Sequence, residues 1–289
     1  MWDVHKFIAS NFFNMASVES LDICSELTNS LAIYLPSKVK TEENINTKNR
    51  LPHVTVTYAA SLESAIAIAP KTTTLISGYQ SKAMTHYLRA KYDAILIGST
   101  TAITDDPRLT SRWIGVNTAA NPLDQQPRPI IMDPSGRWLN GLTGEENLLR
   151  LARNGHGHAP WVITDKNISI KPEALTHLLS TGGRWLEVYL NYEGKSEGVN
   201  WEAVLSEIVS LGILSLMIEG GATVINDLLR KKNRHYITSI IVTIAPIYLG
   251  TGGVVVSPQR IEGNDDDSFK LREIRWIPMG NDVVMAALS

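Results

Sequence analysis

The stretch "DAILIGSTTAITDDPRLTSRW", residues 93–113, decides how the rest of the chain is read. Its first part, "DAILIG", is a continuous apolar run of the kind that forms a strand buried on both faces of a parallel sheet. The remainder fits neither a helix nor a plain turn: two adjacent carboxylates, Asp105 and Asp106, then a proline and two arginines, Arg108 and Arg112. Neighbouring carboxylates repel, so a purely structural loop gains little from having both. An Asp-Pro pair is common turn punctuation. The sharper expectation is a ligand loop where a buried strand leaves the core.

Outward from this stretch, strands and helices alternate. "HVTVTYAAS" (53–61), rich in β-branched residues, reads as a strand, and "SKAMTHYLRAKY" (81–92) as a helix leading into "DAILIG". "RPIIMD" (128–133), "WVITD" (161–165) and "WLEVYL" (185–190) read as further strands with polar connections. "NWEAVLSEIVSLG" (200–212) is a helix with a glycine stop, followed by the strand "LSLMIEGG" (214–221) and the helix "ATVINDLLRKK" (222–232). "SIIVTIAPIYLG" (239–250) and "NDVVMAALS" (281–289) close the chain as strands. This order predicts a mainly parallel sheet with helices on both faces. No helix separates "IVTIAP" from the last strand, so that strand is expected to add an antiparallel edge.

Ahead of this body, Val18, Leu21, Leu27 and Leu31 recur at helical spacing and stop before Pro36. The polar "SKVKTEENINTKNR" (37–50) reads as a linker or surface loop. The chain therefore divides into an arm, residues 1–50, and a body, residues 51–289.

In an open α/β sheet, ligands gather at the carboxyl ends of strands. A second such junction is "LMIEGGATVINDLL" (216–229), where Gly220 and Gly221 remove both side chains at the start of a helix. Exposed N–H groups there suit a phosphate or pyrophosphate; a tight turn needing positive φ explains a lone Gly-Gly pair equally well. Glu219 adds weight, because a carboxylate ending an apolar strand is costly unless partnered.

Other chemistries are excluded or unsupported. The chain has neither GxGxxG nor GxxxxGK[ST], and no GxSxG. The single cysteine, Cys24, rules out intrachain disulfides and cysteine-cluster zinc sites. His156 and His158 in "HGH" read as a surface loop, and "NDDDS" (264–268) as a solvated one. A net charge of −2 gives no general attraction to nucleic acid or to anionic membranes. No apolar run reaches the ~18 residues of a membrane span. The first residues, with Asp3 and no continuous apolar stretch, make a poor secretory signal, so a cytoplasmic location is expected.

Taken together, "HVTVTYAASLESAIA" (53–67), residues 75–113 from "LISGYQ" to "LTSRW", "IEGGATVINDLL" (218–229) and "IAPIYLG" (244–250) resemble the riboflavin-pathway reductases. These share a dihydrofolate-reductase-like fold, and the likeness is to their stand-alone fungal members. It spans residues 51–289, and several motifs recur in family order. The bacterial relatives carry a fused zinc deaminase that this chain cannot hold.

The resemblance implies NADPH as cofactor and a phosphorylated pyrimidine as substrate. The implied activity is reduction of the ribosylamino group of 2,5-diamino-6-ribosylamino-4(3H)-pyrimidinone 5′-phosphate to the ribitylamino product, by a homodimer. It places Ala59, Leu75, Thr101 and Asp105 at the cofactor, with Gly220, Gly221, Ala222, Thr223 and Val224 along its pyrophosphate. Thr73, Arg89, Leu109, Arg112 and Glu219 fall at substrate positions, the arginines being suited to fork onto a phosphate. Glu219 is also the one acid nominated for proton transfer, beside bound water. The chain departs from the common Ser-Leu-Asp-Gly at Ser61-Leu62-Glu63-Ser64, which alters the loop over the nicotinamide. A pteridine or dihydrofolate reductase, or a non-catalytic nucleotide-binding protein, remains open at this point.

Overall fold

A computed structural model describes residues 21–37, 51–190, 198–258 and 268–289. Val18, most of the polar linker and most of the acidic run lie outside the described residues.

Helix α1 (Ser25–Leu31) precedes strand β1 (His53–Ala60) and the short β2 (Ala65–Ala67). Helix α2 (Tyr79–Arg89), strand β3 (Ala94–Gly98) and the short helices α3 (Ser99–Asp105) and α4 (Ile114–Asn117) come after them. The chain continues through β4 (Arg128–Met132), α5 (Asn147–Arg153), β5 (Trp161–Asp165), α6 (Pro172–Leu179) and β6 (Arg184–Val188). Helix α7 (Trp201–Ser210), β7 (Ser215–Gly220), α8 (Ala222–Leu228) and β8 (Ser239–Ile244) are next. Strands β9 (Val254–Val255), β10 (Arg272–Met279) and β11 (Asp282–Leu288) end the chain.

Among the described residues, nine strands form one sheet in the order β10-β11-β8-β1-β7-β3-β4-β5-β6. From β8 to β6 every pairing is parallel; β11 runs antiparallel to β8, and β10 to β11. The sheet is thus mixed and mostly parallel, with the predicted antiparallel edge.

Strand β3 shows why the centre is buried twice over. Side chains alternate across a strand: Ala94 and Leu96 join Val54, Val56, Leu216 and Ile218 on one face. Ile95 and Ile97 join Ile131 and Val162 on the other. Helix α7 covers the first face with Trp201, Val204, Leu205 and Ile208, an i, i+3, i+4, i+7 stripe, beside Val224, Ile225 and Leu228 from α8. The opposite face carries α3, α5 and α6 over one half of the sheet, and α1 and α2 over the other. A large-to-small change at a position such as Ile97 would cost about 2–5 kcal/mol.

Helix α1 is continuous with this core. Leu27, Leu31 and Tyr34 pack with Met84 and Leu88 of α2. Ser239 Oγ donates to the Tyr34 carbonyl at 2.7 Å, so the chain around Tyr34 is hydrogen-bonded to β8 as well.

Four expectations change. Leu21, expected at a helical position, lies ahead of α1 and instead bridges Trp113. The stretch after Gly98 begins as the helix α3, ended by Asp106 in the left-handed conformation (φ 38°). The run from Ser239 stops being a strand at Ile244, short of Pro246, which cannot donate to a ladder. Strand β10, "REIRWIPM", is not apparent in the sequence because it is an exposed edge, where charges and a proline replace the apolar pattern.

Candidate active site

Strands β3 and β7 are neighbours, and their carboxyl ends meet where Ile97 pairs with Gly220. Each runs straight into a short helix, α3 after Gly98 and α8 after Gly221. The glycines make this crossing close. A β-carbon on Gly98 would lie 3.1 Å from Val224 Cγ2. One on Gly221 would lie 2.9 Å from Thr101 Oγ1, closer than side chains tolerate. Gly220 is required for a different reason: its φ of +128° is open to glycine and strained for any other residue. The peptide joining the two glycines is cis. Thr101 of α3, Val224 of α8 and Gly221 just ahead of α8 are therefore brought together with bare backbone between them. The first turn of α8 leaves N–H groups without partners inside the helix.

The two aspartates divide their work. Asp106 faces away, accepting from the backbone N–H and side-chain amide of Asn147, both at 2.9 Å, and so ties α3 to the start of α5. Asp105 instead accepts a hydrogen bond from Thr73 Oγ1, which joins the predicted cofactor and substrate positions. Asp105, Thr73 and Leu75 are all exposed, Leu75 at 75% of its surface.

Arg89 and Glu219 form a two-pronged ion pair, Nε to Oε1 at 2.8 Å and Nη2 to Oε2 at 2.7 Å. Arg89 Nη1 donates to the Thr110 carbonyl at 3.1 Å. Burial by itself would lower the pKa of the guanidinium, but the Glu219 charge and hydrogen bonds more than offset it, and the net shift is upward. The expected joint grip of Arg89 and Arg112 on a phosphate changes accordingly, because the fork of Arg89 is engaged by a carboxylate. Glu219, with both oxygens accepting from Arg89, acts here as the partner that orients the arginine. This also answers how a carboxylate is accommodated at the end of an apolar strand.

Arg112 has no carboxylate partner among the described residues. Its guanidinium Nη2 lies 3.1 Å from His86 Nε2, and its backbone N–H donates to His86 Nδ1 at 3.0 Å. Burial, followed by the charges of Arg89 and Arg112, pushes the His86 pKa down to about 3, so the ring is neutral at ordinary pH. His86 carries no distinguishing signal in the sequence. It sits three residues before Arg89 on α2, a spacing that puts both on one helix face.

Leu109 does not present its side chain to the surface. It is 2% exposed, packed with Ile97 and Ala102, with φ at +51°. Only its backbone is available to a ligand. Ala59 lies near the end of β1, half-buried, and the loop after that strand carries Glu63. Glu63 Oε1 accepts from the N–H groups of Leu249 and Gly250, linking the loops that succeed β1 and β8. Ser64 holds φ at +64°, the conformation a glycine would take more easily at that place. Among the described residues no group of three or more His, Cys, Asp or Glu side chains is arranged to hold a metal, and no helix is long and apolar enough to cross a membrane.

The same architecture occurs in known proteins. The riboflavin biosynthesis reductase Rib7 of Saccharomyces cerevisiae superimposes with a TM-score of 0.68 at 29% identity, covering 91% of this chain and 99% of that one. The RibD protein of Acinetobacter baumannii shares the fold, with a TM-score of 0.65 at 21% identity over 82% of this chain and 58% of its own. In sequence, the chain is 37% identical over 236 residues to the 2,5-diamino-6-ribosylamino-4(3H)-pyrimidinone 5′-phosphate reductase of Debaryomyces hansenii, covering 82% of this chain and 89% of that protein. Its identity to the Saccharomyces cerevisiae protein of the same name is 33% over 268 residues, 92% of this chain and 96% of that one. Residues 52–285 match the family described as RibD C-terminal domain. With that match and relatives above 30% identity covered nearly end to end, the chain belongs to the RibD C-terminal domain family.

Proposed function

We propose that this protein reduces the ribosylamino group of 2,5-diamino-6-ribosylamino-4(3H)-pyrimidinone 5′-phosphate to the ribitylamino group, with NADPH as reductant. The observation that carries the reading is the crossing of α3 and α8, where a β-carbon on Gly221 would fall 2.9 Å from Thr101 Oγ1. Bare backbone at the carboxyl ends of adjacent parallel strands is where a pyrophosphate can approach closely. The names carried by the relatives point to the same reaction.

In this reading Gly220 through Val224 hold the pyrophosphate, while Thr101 and Asp105 orient the rest of the cofactor with Ala59 and Leu75 beside it. Arg112 takes the phosphate end of the substrate with a planar fork that a lysine cannot reproduce. Thr73, Arg89, Glu219 and the backbone of Leu109 line the remainder of the substrate site. The cofactor, when bound, supplies a hydride, and its destination is C1′ of the ring-opened sugar. The residues of this chain position the two reactants and exclude water. Both Glu219 oxygens accept from Arg89, so the accompanying proton comes from water rather than from Glu219. The body from residue 51 onward is the reductase unit, acting as a cytoplasmic homodimer.

The test is NADPH oxidation followed by absorbance with three substrates: the diamino ribotide, its deaminated counterpart and dihydrofolate. Turnover with the diamino ribotide well above the other two supports the proposal. Turnover with dihydrofolate alone overturns it.

A further inference from the structure

The segment that carries Arg112 is held from two sides by residues outside the loop. On one side is Leu21, outside residues 52–285 of the family match. Leu21 and Trp113 form a parallel bridge: the Leu21 N–H donates to the Arg112 carbonyl at 3.0 Å, and the Ile114 N–H donates to the Leu21 carbonyl at 2.9 Å. On the other side is His86, whose Nδ1 accepts from the Arg112 N–H at 3.0 Å and whose carbonyl accepts from Ser111 Oγ at 2.6 Å. Between them the Trp113 ring packs edge-on against Tyr87, centroids 5.1 Å apart. The backbone N–H and C=O of Arg112 are thus both fixed, each by a different element.

The guanidinium is treated differently. A neutral imidazole has one acceptor nitrogen. His86 Nε2 lies 3.1 Å from Arg112 Nη2, so one ring contacts both the backbone N–H and the guanidinium of Arg112 and can accept from only one of them at a time. A neutral ring beside the guanidinium leaves the positive charge of Arg112 uncompensated. The His86 ring stays neutral there because burial and the two arginines hold its pKa down at about 3.

We propose that Leu21 and His86 act as a clamp that presents the Arg112 guanidinium to the substrate, making the segment ahead of the family-matched region a positioning element of the substrate site. The inference rests on the reading of Arg112 as a substrate-binding residue. A fixed backbone beneath a guanidinium without a carboxylate partner reduces the ordering a bound phosphate would otherwise require. The clamp touches substrate only through Arg112, so its loss acts on substrate affinity and leaves the cofactor side intact.

The experiment is steady-state kinetics of the full chain with the diamino ribotide and NADPH. Leu21→Pro removes the N–H that bonds Arg112. His86→Leu removes the acceptor, while His86→Asn restores one near the place of Nδ1. Leu21→Pro and His86→Leu are each expected to raise the ribotide KM about five- to tenfold, the effect of losing one or two hydrogen bonds. The NADPH KM should stay within about twofold of wild type on the same reasoning. His86→Asn is expected to recover most of the loss, and Leu21→Pro to add nothing once Arg112→Ala is present. If Arg112→Ala raises the ribotide KM while Leu21→Pro and His86→Leu do not, the clamp is overturned and the role of Arg112 stands. If Arg112→Ala leaves that KM unchanged, the reading of Arg112 fails and the clamp with it. Should Leu21→Pro not fold, the contrast between His86→Leu and His86→Asn decides: equal KM values for the two overturn the clamp.

Discussion

Arg89 and Glu219 meet fork to fork, at 2.8 and 2.7 Å, although 130 residues separate them in the chain. The pair is mostly buried, with side-chain exposures of 16% and 15%. Removing one member of such a pair strands the other charge, which costs more than the pair contributes. Glu219→Ala is expected to lose about 3 kcal/mol or more of unfolding free energy in urea denaturation. The double variant Arg89→Met/Glu219→Met should lie closer to wild type than Glu219→Ala does. A loss below about 1 kcal/mol for Glu219→Ala would mean that Arg89 finds other partners.

The division of labour between Asp105 and Asp106 gives a paired prediction. Asp105→Ala should weaken NADPH binding by about 1.5–3 kcal/mol, the worth of a hydrogen bond to a charged acceptor, with little change in Tm. Asp106→Ala should do the reverse, losing the bonds to Asn147 and about 1 kcal/mol of stability while binding NADPH normally. Isothermal titration and thermal melts on the two variants check both halves. Equal NADPH dissociation constants for Asp105→Ala and wild type would remove Asp105 from the site.

Gly221→Val puts a β-carbon 2.9 Å from Thr101 Oγ1, too close for both to stay in place. NADPH affinity should fall at least tenfold, in line with a blocked backbone approach. Gly221→Ala combined with Thr101→Ala relieves the internal clash yet still fills the approach, so its stability should recover more than its affinity. A folded Gly221→Val variant with normal NADPH binding would reduce the glycine pair to a turn.

His86 gives stability a pH dependence with a defined sign. Its pKa is about 3 in the fold, against an ordinary value near 6.5 when unfolded. Below pH 6.5 the unfolded chain takes up a proton that the folded chain does not, so stability falls as pH drops toward 3. Between pH 6.5 and 5 the loss from this group is of order 1–2 kcal/mol. His86→Asn should show a shallower slope over that window in urea titrations. An unchanged slope would mean the imidazole protonates in the fold as easily as outside it.

Much of this arrangement is legible from sequence where burial is two-sided. "DAILIG" and "LSLMIEGG" read as central strands because both faces are apolar, and the structure places them side by side. Helix α3 is not legible: only Ser99 and Ala102 of its seven residues are buried, too few for an apolar stripe. Strand β10 is obscured by the same physics in reverse, since an edge strand carries the polar residues of a surface. The need of Glu219 for a partner is implied by its place after "LMI", but the partner is not. Arg89 reaches it only because β7 inserts between β1 and β3 in the sheet. His86 is not legible because a buried histidine on an amphipathic helix has no sequence signature, and its role lies in the contact of its ring with Arg112.

The central claim is transfer of hydride from NADPH to the sugar carbon of a pyrimidinone ribotide. It is tested most directly by supplying NADPH deuterated at the transferring C4 position and examining the product by mass spectrometry and NMR. The account predicts one deuterium per product molecule, located at C1′ of the ribityl chain. A reduced product without deuterium, or with deuterium on the pyrimidine ring, would contradict it.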